Sequence, residues 1–217
     1  MGAVYLVRHG QASFGAADYD KLSELGMRQS TALGAVLRQR GTAFARVISG
    51  TMRRQRHTAE LAVAEAGIEV PCEQDERWNE YDHVGVVGKH GNAGGKIGST
   101  REFQRVLEAS LRAWIDEDSA CPETWAVFRG RVEEAFGEVI DGLGSGERAL
   151  VFTSGGVISA VCAGLLGGSP EAFMALNRVA VNAGVTKLVT GRSGVSLVSY
   201  NEHAHFEGDA GELLTYR

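Results

Sequence analysis

The sequence has few of the features that mark secreted, membrane-spanning or metal-stabilised proteins. Its three cysteines, Cys72, Cys121 and Cys162, are too few and too scattered for a disulfide framework or a zinc site, and we expect reduced thiols. No run of about 18 apolar residues occurs, the length that a membrane-spanning helix needs. The apolar start of the chain is too short for a secretory signal and has no basic residues before it. These absences predict a cytoplasmic protein with no membrane partner.

An excess of positive charge is also missing. Lysine and arginine number 22 against 27 aspartate and glutamate residues, a net charge of −5, so the chain as a whole does not attract nucleic acid. Positive charge that binds an anionic substrate must then be concentrated in a local site. With 217 residues, of which 44% are hydrophobic, the chain can bury about 70% of its unfolded surface. We expect a single domain over residues 1–217.

The most informative segment is the short apolar run Ala3–Val7, which ends in Arg8, His9 and Gly10. The run predicts a buried strand, and open α/β sheets bind their ligands at the carboxyl ends of strands. An arginine fork can hold two phosphate oxygens, while a neutral imidazole can attack phosphorus and carry the phosphoryl group. The three residues alone also fit a surface arginine beside a histidine at the edge of the core.

Arg8-His9-Gly10 resembles the opening motif of the histidine phosphatase superfamily, the phosphoglycerate-mutase-like proteins, and three further segments match in the same order. In the second segment, residues 49–59, the family places a phosphate-binding arginine four residues before a Thr-Ala pair, which is Thr58-Ala59 here. This register assigns the role to Arg54. Arg53 and Arg56 remain alternatives on the same predicted helix.

The third matching segment, residues 77–81, resembles the family segment that carries the acid for the leaving group. The resemblance assigns that role to Glu80, and Asp82 is the alternative if the local backbone differs.

The fourth segment, residues 148–158, reads as strand, glycine turn and helix, but departs from the family pattern. The family has a second histidine directly before the two glycines, and this chain has Ser154. A serine can still donate a hydrogen bond to phosphate, and the amides of Gly155 and Gly156 at the start of a helix favour an anion. Loss of a positive charge predicts a slower enzyme.

Strand and helix patterns alternate along the chain, which predicts a three-layer α/β/α sandwich with a mostly parallel central sheet, an antiparallel edge strand and a helical cap inserted at about residues 83–125. The predicted helices are 25–40, with an inner stripe of Met27, Leu33, Val36 and Leu37, then 53–66, 103–115, 125–140, one after Gly155 and a short one opened by Ser169 and Pro170. The predicted strands after the first are 46–49, 69–72, one from Arg148 into the glycine turn, and the hairpin strands 184–189 and 195–200.

The stretch from Gly85 to Thr100 contains six glycines with Lys89, His90 and Lys96 between them. It is not a P-loop, because His90 and Ile97 stand where that motif needs glycine and a hydroxyl residue. We interpret it as a mobile connection into the cap; a surface loop without substrate contact is the alternative.

The other histidines carry weaker predictions. His57 is expected to be structural, and His83, close to Glu80 in sequence, could approach the pocket. His203 and His205 have the spacing of a metal pair, but no carboxylate cluster accompanies them. Two arginines can neutralise a phosphoryl group, so we expect no metal and no cofactor.

The resemblance therefore implies a metal-independent phosphomonoester hydrolase that acts on a small phosphorylated substrate through phosphohistidine at His9. A phosphoglycerate-mutase-type phosphoryl transfer is an alternative; such mutases carry an asparagine where this chain has Gly15. A weakly active or inactive phosphoester-binding protein is another. A serine hydrolase built on Ser154 would need glycine at position 152, which is Phe152. A homo-oligomer is compatible with the sequence.

Overall fold

A computed structural model describes residues 1–13, 20–90, 100–117 and 121–216. Six strands form one sheet in the order β3-β2-β4-β1-β5-β6. The parallel strands are β1 (Gly2–Arg8), β2 (Arg46–Ser49), β3 (Cys72–Gln74) and β4 (Arg148–Thr153). Strands β5 (Val185–Gly191) and β6 (Gly194–Glu202) are antiparallel, β5 pairing with β1 and β6 forming the edge. The expected mixed sheet with an antiparallel edge is confirmed.

Helices cover both faces of the sheet. They are α1 (Glu24–Arg40), α2 (Arg53–Ala66), α3 (His83–His90), α4 (Thr100–Glu117), α5 (Trp125–Asp141), α6 (Gly155–Leu165) and α7 (Pro170–Val179), with short 3-10 turns at Glu76–Trp78, Ala204–Phe206 and Gly208–Leu213. Alternate residues of β1 enter two different cores. Tyr5 and Val7 pack with α1, α2 and the last 3-10 turns, whereas Val4 and Leu6 pack with α5 and α6. This division produces three layers.

Local signals explain several element ends. The Ser23 hydroxyl accepts from the Gly26 amide and caps α1, and the Ser169 hydroxyl caps α7 before Pro170. Gly67, with φ of 68°, ends α2 at the predicted residue, because glycine adopts this left-handed conformation without strain. Leu33 and Leu37 of α1 are buried, while Met27 and Val36 are only partly buried. None of the helices in the described ranges is both long and apolar enough to cross a membrane.

Two predictions from the sequence are wrong in detail. Strand β3 begins at Cys72 and runs to Gln74, because these residues pair with Val47–Ser49, whereas the predicted strand ended at Cys72. Proline at position 71 has no amide hydrogen for the ladder.

The glycine-rich stretch is also more ordered at its start than predicted, since residues 83–90 form α3. The Asp82 carboxylate accepts from the Gly85 amide at 3.0 Å and caps this helix, and Val86 is buried beneath it. Residues 91–99, which contain most of the glycines, lie outside the described residues.

Candidate active site

The imidazole of His9 lies at the carboxyl end of β1, and only 5% of the residue is exposed. Its Nδ1 is 2.7 Å from the Gly10 carbonyl oxygen. A carbonyl can only accept, so Nδ1 carries the proton and Nε2 keeps its lone pair. Nε2 in turn accepts from Arg54 Nε at 3.1 Å. The ring therefore presents the nitrogen that a phosphoryl group could bind.

The electrostatic surroundings keep this ring neutral. Burial lowers the pKa of His9 well below the ordinary imidazole value, and the charges of Arg54 and Arg8 lower it further. A neutral imidazole at physiological pH has the protonation state that nucleophilic attack requires.

Of the three arginines considered at the start of α2, Arg54 is the one hydrogen bonded to His9. Its side chain is nearly buried, and its Nη1 also contacts Asp20 Oδ1 at 2.7 Å. The second oxygen of Asp20 accepts from the backbone amide of Arg53 at 2.8 Å, while the Arg53 residue itself is exposed. Arg56 lies two residues farther along the helix and is half-buried. The structure thus places Arg54, the residue assigned by the Thr-Ala register, beside the candidate nucleophile.

Arg8 follows the same strand end and is fixed by backbone carbonyls. Its Nη1 donates to the carbonyl oxygens of Ala180 and Tyr216, the latter at 2.7 Å. A Cβ atom placed on Gly155 would lie 3.4 Å from Arg8 Nε, so this guanidinium borders the first turn of α6. Two guanidinium groups, one amide-rich helix start and a neutral imidazole therefore converge at the ends of β1 and β4.

Glu80 and Asp82, the two candidate acids, occupy different places. Glu80 Oε2 accepts from the Gly156 amide at 3.0 Å, which puts its carboxylate at the start of α6. Asp82 caps α3. A Cβ atom on Gly156 would lie 2.2 Å from Glu80 Oε1, so only glycine permits this approach.

Two side chains hold the backbone before Glu80 with three hydrogen bonds. The Trp78 carbonyl accepts from Thr153 Oγ1 at 2.6 Å, and Arg131 Nη1 donates to the carbonyls of Arg77 and Asn79 at 2.8 and 2.7 Å. These contacts fix the segment that carries Glu80 against β4 and α5.

Ser154 has an exposed fraction of 0% and accepts a hydrogen bond from Gln55 Nε2 at 2.8 Å. The same Gln55 amide donates to the Trp78 carbonyl at 3.0 Å. Gln55 was missed in the sequence, although it lies in line with buried Ala59 and Ala62 on α2. A polar side chain within such a buried stripe signals an amide with internal partners.

The remaining histidines lie as follows. Burial lowers the pKa of His83, and the charge of Arg54 lowers it further, while the carboxylates of Glu80 and Asp82 raise it. The charges of the candidate site therefore act on His83. His57 is half-buried on α2. His203 Nδ1 and His205 Nε2 contact the carbonyls of Asn201 and Ala183 at 2.6 and 3.2 Å.

Two further predictions concern a metal site and the residue at position 15. Within the part of the chain that the structure describes, no group of three or more potential metal ligands occurs. Gly15, which stands where mutases carry an asparagine, lies outside the described residues.

Known structures share this fold over most of their length. YhfR of Bacillus stearothermophilus is 22% identical, with a TM-score of 0.72, covering 95% of this chain and 100% of that chain. A mycobacterial glucosyl-3-phosphoglycerate phosphatase in complex with VO3 is 22% identical, with a TM-score of 0.69 and coverage of 93% and 99%. Phosphoglycerate mutase from Bacillus anthracis is 22% identical, with a TM-score of 0.68 and coverage of 97% and 96%. At these identities the likeness concerns the fold.

No curated protein sequence matches the chain. The sequence model of the Histidine phosphatase superfamily (branch 1), however, matches residues 4–203, a span that includes all four motifs. The protein therefore belongs to the histidine phosphatase superfamily.

Proposed function

We propose that the protein is a phosphomonoester hydrolase that works through a phosphohistidine at His9. The observation that carries the proposal is the imidazole itself: Nδ1 is tied to the Gly10 carbonyl, Nε2 faces Arg54, and burial beside two arginines keeps the ring neutral. A histidine that served only packing would not need two guanidinium groups beside it. Positive charge at this position suits the oxygens of a transferring phosphoryl group.

In the first proposed step, the Nε2 lone pair of His9 forms a bond to phosphorus while the bond from phosphorus to the leaving oxygen breaks. Protonated Glu80 gives its proton to that oxygen, so the product leaves as an alcohol. In the second step, the Glu80 carboxylate takes a proton from water, the water oxygen bonds to phosphorus, and the bond between phosphorus and nitrogen breaks. Inorganic phosphate and neutral His9 result.

The proposed cradle for the phosphoryl oxygens consists of Arg8, Arg54 and the first turn of α6 at Gly155, with Ser154 at its base. Arg8 borders Gly155, and Arg54 contacts the nucleophile. The two arginines supply the charge that a metal would otherwise provide, so we expect EDTA to leave turnover unchanged.

We further propose that α3 and α4 act as the substrate-selecting cap predicted at about residues 83–125 of a single, cytoplasmic domain. One contact supports this placement: the Tyr81 ring, next to Glu80, packs 5.2 Å from the Trp114 ring of α4. The charge of Glu80 also raises the pKa of His83, at the start of α3, against the larger lowering by burial. A cap at this position would contact the leaving group of a small phosphorylated substrate.

The test is rapid-quench labelling with a ³²P-phosphomonoester. Wild-type protein should form an acid-labile, base-stable phosphoenzyme and release inorganic phosphate, and His9→Ala should do neither. His57→Ala, which alters a half-buried histidine of α2, is the matched control and should keep both. A label that persists in His9→Ala, or an acid-stable ester on serine, would refute the mechanism. Label that passes to a second hydroxyl of the substrate without release of phosphate would identify a mutase. Tight vanadate binding without any labelling would identify a binding protein.

A further inference from the structure

Residues 213–216 lie against the strand end that carries the candidate nucleophile. The Nε2 group of Gln29, on α1, donates to the Leu213 carbonyl and to Thr215 Oγ1, both at 2.7 Å. On the other side of the segment, the backbone amide of Asn182 donates to the Thr215 carbonyl at 2.9 Å, and Thr215 Oγ1 donates to Asn182 Oδ1 at 3.0 Å. The Thr215 hydroxyl thus links two side-chain amides from distant parts of the chain.

The same two amides hold the backbone on either side of Gly10. Gln29 Oε1 accepts from the Gln11 amide at 2.8 Å, and Asn182 Nδ2 donates to the His9 carbonyl at 3.2 Å. Gln29 is 0% exposed and Asn182 is 1% exposed, so both amides depend on partners within the protein. A continuous chain of hydrogen bonds therefore runs from Gln11 through Thr215 to His9.

The segment also reaches the first arginine. The Tyr216 carbonyl accepts from Arg8 Nη1 at 2.7 Å, directly after Thr215 in the chain. One short segment therefore contacts the supports of His9 and the guanidinium of Arg8 at once.

We infer that Thr215 is a positioning residue for His9, and that the segment it belongs to also orients Arg8. The inference rests on the proposed role of His9 as nucleophile. Removing the Thr215 hydroxyl deprives a Gln29 donor and an Asn182 acceptor of their shared partner, and buried amides left in this way rotate or shift to find others. Because these amides hold Gln11 and His9, the shift moves the imidazole relative to the phosphoryl group.

Three substitutions and one truncation test this inference. Thr215→Val removes the hydroxyl at nearly constant volume, and Thr215→Ser restores it. Thr186→Val is the control, because Thr186 is another threonine with an internal hydrogen bond, and its hydroxyl accepts from the Asn201 amide instead of from Gln29. All rates are divided by the folded fraction, measured by chemical unfolding.

Thr215→Val should lower kcat and the rate of phosphoenzyme formation about tenfold to a hundredfold, with KM changed little, because a small displacement of a reacting group is costly. Thr215→Ser and Thr186→Val should stay within about threefold of wild type, since both keep the chain of hydrogen bonds at His9. A chain that stops at Leu214 also loses the Tyr216 carbonyl, and should bind vanadate about tenfold more weakly as well.

A readout that needs no turnover separates this inference from the proposed function. The ¹⁵N signals of the His9 ring, assigned with His9→Ala, should shift in Thr215→Val and remain in place in Thr186→Val. Unchanged rates and unchanged ring signals in Thr215→Val would overturn the positioning role while leaving a phosphohistidine mechanism intact. Shifted ring signals in a protein that never forms phosphoenzyme would instead remove the proposed function and keep the positional link.

Discussion

Gly156→Ala should separate the chemistry of Glu80 from the stability of the fold. The new Cβ atom would lie 2.2 Å from Glu80 Oε1 and 2.5 Å from the Tyr81 ring, while Glu80 Oε2 now accepts from the Gly156 amide at 3.0 Å. Real Cβ atoms do not approach oxygen this closely. The carboxylate must therefore leave the start of α6.

The expected magnitudes differ for stability and for catalysis. Overpacking at this site should cost about 1–3 kcal/mol of folding free energy, partly offset by up to about 1 kcal/mol from replacing a helical glycine with alanine. Displacing a general acid should lower the rate about 10²-fold to 10⁴-fold. Gly164→Ala is the matched control on the same helix, because nothing lies within 4 Å of its added Cβ atom. This control should be as stable as wild type or more so, and fully active.

The assay is kcat/KM on an alkyl phosphate and on p-nitrophenyl phosphate. An alkoxide needs a proton to leave and p-nitrophenolate needs it far less, so Gly156→Ala should lose most activity on the alkyl ester. Glu80→Gln should show the same selective loss. Equal losses on both substrates, or a folded Gly156→Ala protein with wild-type activity on the alkyl phosphate, would show that Glu80 is not the acid.

Other predictions test the remaining parts of the site. Arg54→Ala should weaken vanadate inhibition about tenfold to a hundredfold. The matched variant Arg53→Ala, at an exposed residue, should not. Equal small effects would show that Arg54 does not hold the phosphate. Ser154→His alone should destabilise the fold, since the imidazole would collide with Gln55. The double variant with Gln55→Ala should fold and bind vanadate more tightly. Unchanged vanadate affinity in a folded double variant would place position 154 away from the phosphate. Burial lowers the pKa of His205 to about 4, so below pH 6.5 the unfolded chain takes up a proton that the folded protein does not. The unfolding free energy should therefore fall by up to about 3 kcal/mol between pH 6.5 and 4. In His205→Asn this fall should be smaller by the same amount. Parallel plots of unfolding free energy against pH for wild type and variant would contradict the prediction.

The sequence allowed much of the site to be predicted because its groups follow regular elements. Arg8 and His9 end β1, Ser154 follows β4, and the carboxyl ends of parallel strands meet at one edge of a sheet. Arg54 was assigned by the resemblance, from the family's spacing between a phosphate-binding arginine and a Thr-Ala pair. The first half of the glycine-rich stretch was mistaken for a loop, because the Asp82 cap and the buried contacts of Val86 outweigh the low helix propensity of glycine.

The contacts that could not be predicted join segments far apart in the chain. Gln55 meets Ser154 across 99 residues, Asn182 meets His9 across 173, and Gln29 meets Thr215 across 186. A local pattern can indicate that one residue is buried, as the stripe on α2 does for Gln55, but it does not specify the distant partner. The pairing becomes visible only when the three layers are assembled.

The groups proposed to bind phosphate already have protein partners in this structure, and this fact bears on the order of events. Arg54 Nε donates to His9 Nε2, Arg54 Nη1 donates to Asp20 Oδ1, and the Gly156 amide donates to Glu80 Oε2. These pairings satisfy buried donors and charges within the protein. In the proposed reaction the phosphoryl oxygens must therefore take Arg54 from His9 before Nε2 can attack. Binding of the phosphoryl group and release of His9 Nε2 from Arg54 are then one event. A compound without a phosphoryl group would leave His9 Nε2 hydrogen bonded to Arg54.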